Sequence, residues 1–332
     1  MTNAGFILAP FAFEDVYGNE SLSLIAADAN ILRPIATRED VQLGRVPWLA
    51  DVDLLFTSWG APKLDAALLA QMPRLRAVFF GAGSVRDMVT DNFWARGITL
   101  TVAAAVNAKP VAEFTLGAIL LSLKRAVPQA RAVRESRNYP SSPANVPGNY
   151  QSTIGLVSFG QVGRTLRELL RPFDLKVLVC DPTLSTEEIT KAGGVPCSLG
   201  EIFDQADIVS LHTPLLPSTE GLITGALVAR MKAGATLINT SRGAIVRESE
   251  LIEVLKRRPD LQAILDVTWP EPPAQDSPLY QLPNVMLTPH IAGSIGRERR
   301  RIGAAMIAEM KRYLRGTPLL HEIRHTQVQL HA

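Results

Sequence analysis

From Thr153 onward the chain alternates short apolar runs of strand character with helix-like stretches, and no other feature restricts its possible folds so strongly. TIGLVSF, KVLVCD, DIVSLH, ATLINT, AILDV and VMLT read as strands, separated by helical patterns over Gln161 to Arg171, near Glu187, over Ala226 to Met231 and over Glu248 to Lys256. Alternation of this kind builds parallel sheets, because each return to the same sheet edge needs a crossover helix. The runs are almost continuously apolar, as befits strands covered on both faces. A shorter series of the same kind occupies the first hundred residues: GFILA, DVDLLFTS, LRAVFFG and GITLTVA as strands, with KLDAALLAQM as a helix. The expected fold class is therefore α/β with two parallel-sheet units. A helix from Lys109 to Arg125 would connect them, YPSSPANVPGNY (Tyr139 to Tyr150) would form a loop, and a last helix, Gly296 to Leu314, has no strand after it and could return to the first unit.

The length of 332 residues suits two domains. With 34 basic and 32 acidic side chains the formal charge is only +2, so neither nucleic acid nor an anionic membrane is the expected partner. The run RERRR (Arg297 to Arg301) is expected to be a solvated helix face. No apolar stretch runs uninterrupted for the roughly 18 residues of a membrane helix, and the N-terminus lacks a basic n-region. Cys180 and Cys197 allow at most one disulfide and no metal-site spacing is present. Cytoplasmic localisation and a metal-free site are the expectations.

TIGLVSF runs directly into Gly160, Gln161, Val162 and Gly163 and then a helix, the context of a dinucleotide phosphate turn. Gly160 would let backbone approach a pyrophosphate, and Gly163 would allow close helix–strand packing. Ser158 stands where the G-x-G-x-x-G pattern has its first glycine. Eighteen residues past Gly163, Asp181 ends the next strand, where its carboxylate can accept from a ribose diol and repel a 2′-phosphate. NAD (NADH) is thus expected in preference to NADP.

Open α/β sheets gather ligands at the carboxyl ends of their strands, and three polar side chains stand there. Arg242, in LINTSRGAIV, could hold a carboxylate with two parallel bonds. His290, in LTPHIAG, could deliver a proton to an alkoxide near neutral pH. Glu271, in DVTWPEPPAQD, could accept from His290 and fix its tautomer, and Asp266 could hold a nicotinamide amide. Of the remaining histidines, His321, His325 and His331 lie in a polar tail, and His212 ends a strand beside Thr213 and Pro214.

The segments NAKPVAEFT, GLVSFGQVG, VCDP, SLHTPLLPST, INTSRGAIV, LDVTWPEPP and TPHIAG, in this order and spacing, resemble the D-isomer-specific 2-hydroxyacid dehydrogenases, a family that includes phosphoglycerate dehydrogenases and glyoxylate/hydroxypyruvate reductases. The resemblance implies a doubly wound NAD-binding Rossmann domain over 104–295, inserted into a flavodoxin-like substrate domain formed by 1–103 and 296–332. It implies reversible hydride transfer between NAD(H) and a small 2-oxo or 2-hydroxy acid, with Arg242, Glu271 and His290 as the catalytic set. Cofactor contacts fall by resemblance on Gly160, Gln161, Val162, Gly163, Asp181, His212, Thr213, Pro214, Thr240, Ser241, Asp266, His290 and Gly293. Ala82 and Gly83, with Arg242 and His290, would bind the substrate, and the NAKPVAEF helix would pack in a homodimer. Three departures stand out: Ser158 for glycine, the sequence Ser84-Val85-Arg86 after Gly83, and Trp269 where an acidic residue is common. Phe13, Phe56 and Trp59 are further candidates for the pocket. The alternative reading is an NAD(H)-binding sensor or corepressor-like scaffold with little turnover.

Overall fold

A computed structural model describes residues 1–139 and 146–331, so half of the loop expected over Tyr139 to Tyr150 lies outside the described residues. The chain divides into two compact units, Met1–Asn107 together with the segment from Ser294 onward, and Ala108–Gly293.

The first unit contains β1 (Asn3–Ile7), β2 (Asn30–Ile31), β3 (Leu54–Thr57), β4 (Ala77–Phe80) and β5 (Thr99–Val102), all parallel in the order β2-β1-β3-β4-β5. That is the flavodoxin-like order. Side-chain alternation sorts residues between two cores: Leu54, Phe56, Ala77 and Phe79 face one, Leu55, Val78 and Phe80 the other. Both faces are covered, hence the unbroken apolar runs. Phe6, Phe56 and Phe79 stack across neighbouring strands at 5.0 and 5.1 Å. Phe56 is fully buried in that ladder and Phe13 is 7% exposed in the same core, so these two are packing residues, not pocket walls.

The helix Arg299–Arg315 lays Ile302, Met306, Ile307 and Met310 into the same core, and Gly316 ends it at φ 65°. Buried Glu309 then accepts from the N–H groups of Leu320 and His321, both at 2.9 Å. The clipped tail pairs with β5, His321 O accepting from Val102 N and Ile323 N donating to Leu100 O. In the arginine run, Arg299 pairs with Asp15 and Arg301 with Glu298.

The second unit contains β6 (Thr153–Val157), β7 (Lys176–Cys180), β8 (Val195–Pro196), β9 (Ile208–Leu211), β10 (Thr236–Asn239), β11 (Gln262–Leu265) and β12 (Val285–Leu287). They form one parallel sheet ordered β12-β11-β10-β9-β6-β7-β8, doubly wound, with the strand order reversing between β6 and β9. The α/β class is thus observed in both units. Two strands, β2 and β8, leave no mark in the sequence, because two residues carry no periodicity.

Among the described residues one helix, Ala104–Leu123, is long and apolar enough on average to cross a membrane. Lys109 and Glu113 interrupt its apolar run, while Ala112, Ile119 and Leu123 pack into the second unit's core.

Candidate active site

Dinucleotide sites in doubly wound sheets lie where the strand order reverses, which here means the carboxyl ends of β6 and β9. After β6 the chain turns through Ser158, Phe159 and Gly160 into the helix Gln161–Leu170, whose first N–H groups suit an anion. Gly160 has open space where a Cβ would project, and a Cβ on Gly163 would stand 2.8 Å from Ser158 O, so the helix packs on the turn only with glycine there. Ser158 keeps the left-handed backbone of the missing glycine, at φ 71°. Its hydroxyl donates across the reversal point to Thr213 Oγ1 at 3.0 Å, and Thr213 Oγ1 donates to Val157 O at 3.4 Å.

Asp181 follows β7 and clamps this turn: one carboxylate oxygen accepts from Phe159 N at 2.7 Å, the other from the N–H and hydroxyl of Thr183. Gln161 is exposed, Val162 and Pro214 are partly so, and Thr213 is buried. Thr240 is 8% exposed with its hydroxyl 3.3 Å from that of Thr115, and Ser241 donates through N and Oγ to Asn239 Oδ1. His212 Nε2 lies 3.0 Å from Ser210 Oγ, and burial pushes its pKa down to about 4. A histidine held neutral in this way is unsuited to donating a proton at neutral pH. Cys180 and Cys197 are free thiols, and burial raises both pKa values, that of Cys197 to about 11. Among the described residues no cluster of potential metal ligands exists.

The catalytic candidates leave three neighbouring strands, β10, β11 and β12, at their carboxyl ends. Asn239, at the end of β10, shapes the first turn, its Nδ2 donating to Arg242 O at 3.0 Å. A Cβ on Gly243 would stand 2.0 Å from the carbonyl of Thr268, so the turn presenting Arg242 lies directly against the loop leading to Glu271. Half-buried Glu248, its pKa raised by that burial, accepts from Trp269 N at 3.0 Å and anchors this loop, while the Trp269 side chain is 63% exposed. His290 has a left-handed backbone, φ 54°, and its N–H donates to Asp266 O and Thr288 O.

Asp266 holds this strained turn in place. Its buried carboxylate accepts from Thr288 Oγ1 at 2.6 Å, Ile291 N at 2.9 Å and Ala292 N at 2.8 Å. Three of about four acceptor positions on the carboxylate are thereby used, and one is left for a ligand. His290 Nδ1 lies 2.6 Å from Glu271 Oε1. An ionised carboxylate can only accept, so it selects the Nδ1–H tautomer and leaves Nε2 for proton transfer. Both side chains are nearly half exposed, so a substrate can reach them.

Thr288, Asn239 and Glu248 were missed from the sequence, because nothing in their local pattern shows which backbone groups they anchor. In the other unit, Ala82 is 3% exposed with its methyl in the core, leaving its N–H as the group able to serve a ligand, and Gly83 is partly exposed.

Fold and fingerprint together define a Rossmann-type dinucleotide-binding protein with an arginine, a glutamate and a histidine at the ends of adjacent strands. Residues 116–292 match the family model of the D-isomer specific 2-hydroxyacid dehydrogenase NAD binding domain, and the chain belongs to that family. It is 32% identical over 263 residues to D-3-phosphoglycerate dehydrogenase of Bacillus subtilis, covering 79% of this chain and 50% of that protein. The chain thus spans about half the length of such relatives. Glyoxylate reductase of Korarchaeum cryptofilum is 32% identical over 78% of both chains. Among solved structures, D-lactate dehydrogenase of Aquifex aeolicus complexed with NAD and lactic acid superposes with a TM-score of 0.70 at 25% identity, covering 95% of this chain and 96% of that one.

Proposed function

We propose that this chain is an NAD-dependent D-2-hydroxyacid dehydrogenase that interconverts a small 2-oxo acid, such as glyoxylate or hydroxypyruvate, with the D-2-hydroxy acid. The 2.6 Å pair of Glu271 with His290 carries the reading, since it orients an imidazole and leaves Nε2 unengaged by that pair on a dinucleotide fold. When bound, the nicotinamide supplies or accepts the hydride. Protonated His290 donates from Nε2 to the substrate's C2 oxygen in reduction, and neutral His290 takes that proton back in oxidation. Arg242 holds the carboxylate and polarises the carbonyl.

The phosphate turn, with Gly160, Gln161, Val162 and Gly163, holds the pyrophosphate. Asp181 favours NAD over NADP, because its fixed negative carboxylate repels a 2′-phosphate. His212, Thr213, Pro214, Thr240, Ser241, Asp266 and Gly293 complete the cofactor site, and the NAKPVAEF segment, Asn107 to Phe114, packs in a homodimer.

The test follows NADH absorbance with a panel of 2-oxo acids. Oxidation of NADH with at least one of them supports the reading. NADH binding without oxidation across the panel overturns it in favour of a sensor.

A further inference from the structure

We infer that Ser158 is a cofactor-binding residue of this chain, its hydroxyl donating to an oxygen of the dinucleotide's phosphate–ribose backbone. The inference rests on the NAD-binding reading above and goes further, because the phosphate-turn pattern puts glycine at this position and gives it no side-chain role.

Ser158 is partly exposed, and its hydroxyl lies over the point where the strand order reverses, with its partner Thr213 following β9 on the far side. Dinucleotides cross sheets of this kind at that point. The serine stays in the left-handed region at φ 71°, where a side chain costs free energy that glycine does not. Strained residues of this sort cluster at ligand sites.

The hydroxyl can be released. Thr213 Oγ1 already donates to Val157 O, so the Ser158–Thr213 bond joins two neutral groups. A hydrogen bond from the same hydroxyl to an ionised phosphate is about twice as strong. Turning from Thr213 to a phosphate oxygen therefore favours the bound state.

The experiment compares wild type, Ser158→Ala and Ser158→Gly by NADH fluorescence titration, ADP-ribose calorimetry and thermal melting. Ser158→Ala keeps the strain and loses the hydroxyl, whereas Ser158→Gly loses both. The expected result is a Kd about tenfold weaker in both variants for both ligands, although the glycine variant melts above the alanine variant. Wild-type or tighter affinity in Ser158→Gly would show that the serine is only a turn residue. Weakening confined to NADH, with ADP-ribose unaffected, would place any contact away from the phosphates and also overturn the assignment. If wild type itself binds neither ligand, the NAD-binding reading fails instead.

Discussion

Gly243→Ala should disable the site without touching any group that transfers a proton or a hydride. The added Cβ would stand 2.0 Å from Thr268 C and O, whereas ordinary contact begins near 3.4 Å. The two backbones must part by about 1.4 Å, the difference between those distances. No flexible side-chain end is available to absorb the shift, because both partners are backbone in buried segments.

Overpacking of this kind costs about 1–3 kcal/mol of stability. Either Arg242 moves outward or the loop carrying Glu271 does, and a displacement near 1 Å costs about 100-fold in rate. The pyrophosphate turn follows β6, two strands from β10, and should be spared, while Thr240 and Ser241 adjoin the displaced backbone and make the NADH titration the necessary control. Steady-state kinetics with the best 2-oxo acid, alongside NADH titration and urea unfolding, measure all three. The expected result is a kcat/KM down by about 100-fold with NADH affinity within about threefold of wild type. An alanine variant with wild-type kcat/KM would refute the claim that this close approach fixes the catalytic geometry.

Two further perturbations address neighbouring groups. In Asp266→Asn the amide N–H₂ must face a donor, either Ile291 N–H or Ala292 N–H, so one backbone donor loses its acceptor at a cost of about 1–3 kcal/mol. Loosening of the His290 turn should lower kcat by about 100-fold, and unchanged turnover would contradict the anchoring role. His212 has a folded-state pKa of about 4 against 6.5 unfolded, so the unfolded chain takes up the proton first as pH falls. Its stabilising contribution is complete above pH 6.5 and is lost towards pH 4, by about 2 kcal/mol at pH 5. Urea unfolding at pH 7.5 and 5 should show this loss in wild type and its absence in His212→Gln; equal losses in both would refute it.

Much of this architecture was legible before any coordinates, because parallel strands buried on both faces leave unbroken apolar runs such as DVDLLFTS and KVLVCD. The strand-end positions of Arg242, Glu271 and His290 followed from the same runs. What the sequence could not reveal is pairing at a distance. Phe56 looked like a pocket aromatic until its stack with Phe6 and Phe79 was seen. Asp266 read as a ligand for nicotinamide, yet most of its acceptor capacity holds the turn around His290, whose backbone donors carry no sequence signature. Ser158 is a departure from the glycine pattern in sequence, and only the Thr213 bond between the ends of β6 and β9 shows where its hydroxyl goes.

In the proposed reaction His290, oriented by Glu271, transfers the proton that accompanies hydride transfer. Single-turnover oxidation of pre-bound NADH by a saturating 2-oxo acid, in wild type and His290→Ala, measures that step most directly. General acid catalysis contributes about 10²–10⁴-fold, so the variant should bind NADH normally and react at least about 100 times more slowly. A hydride-transfer rate within a few-fold of wild type would contradict the account.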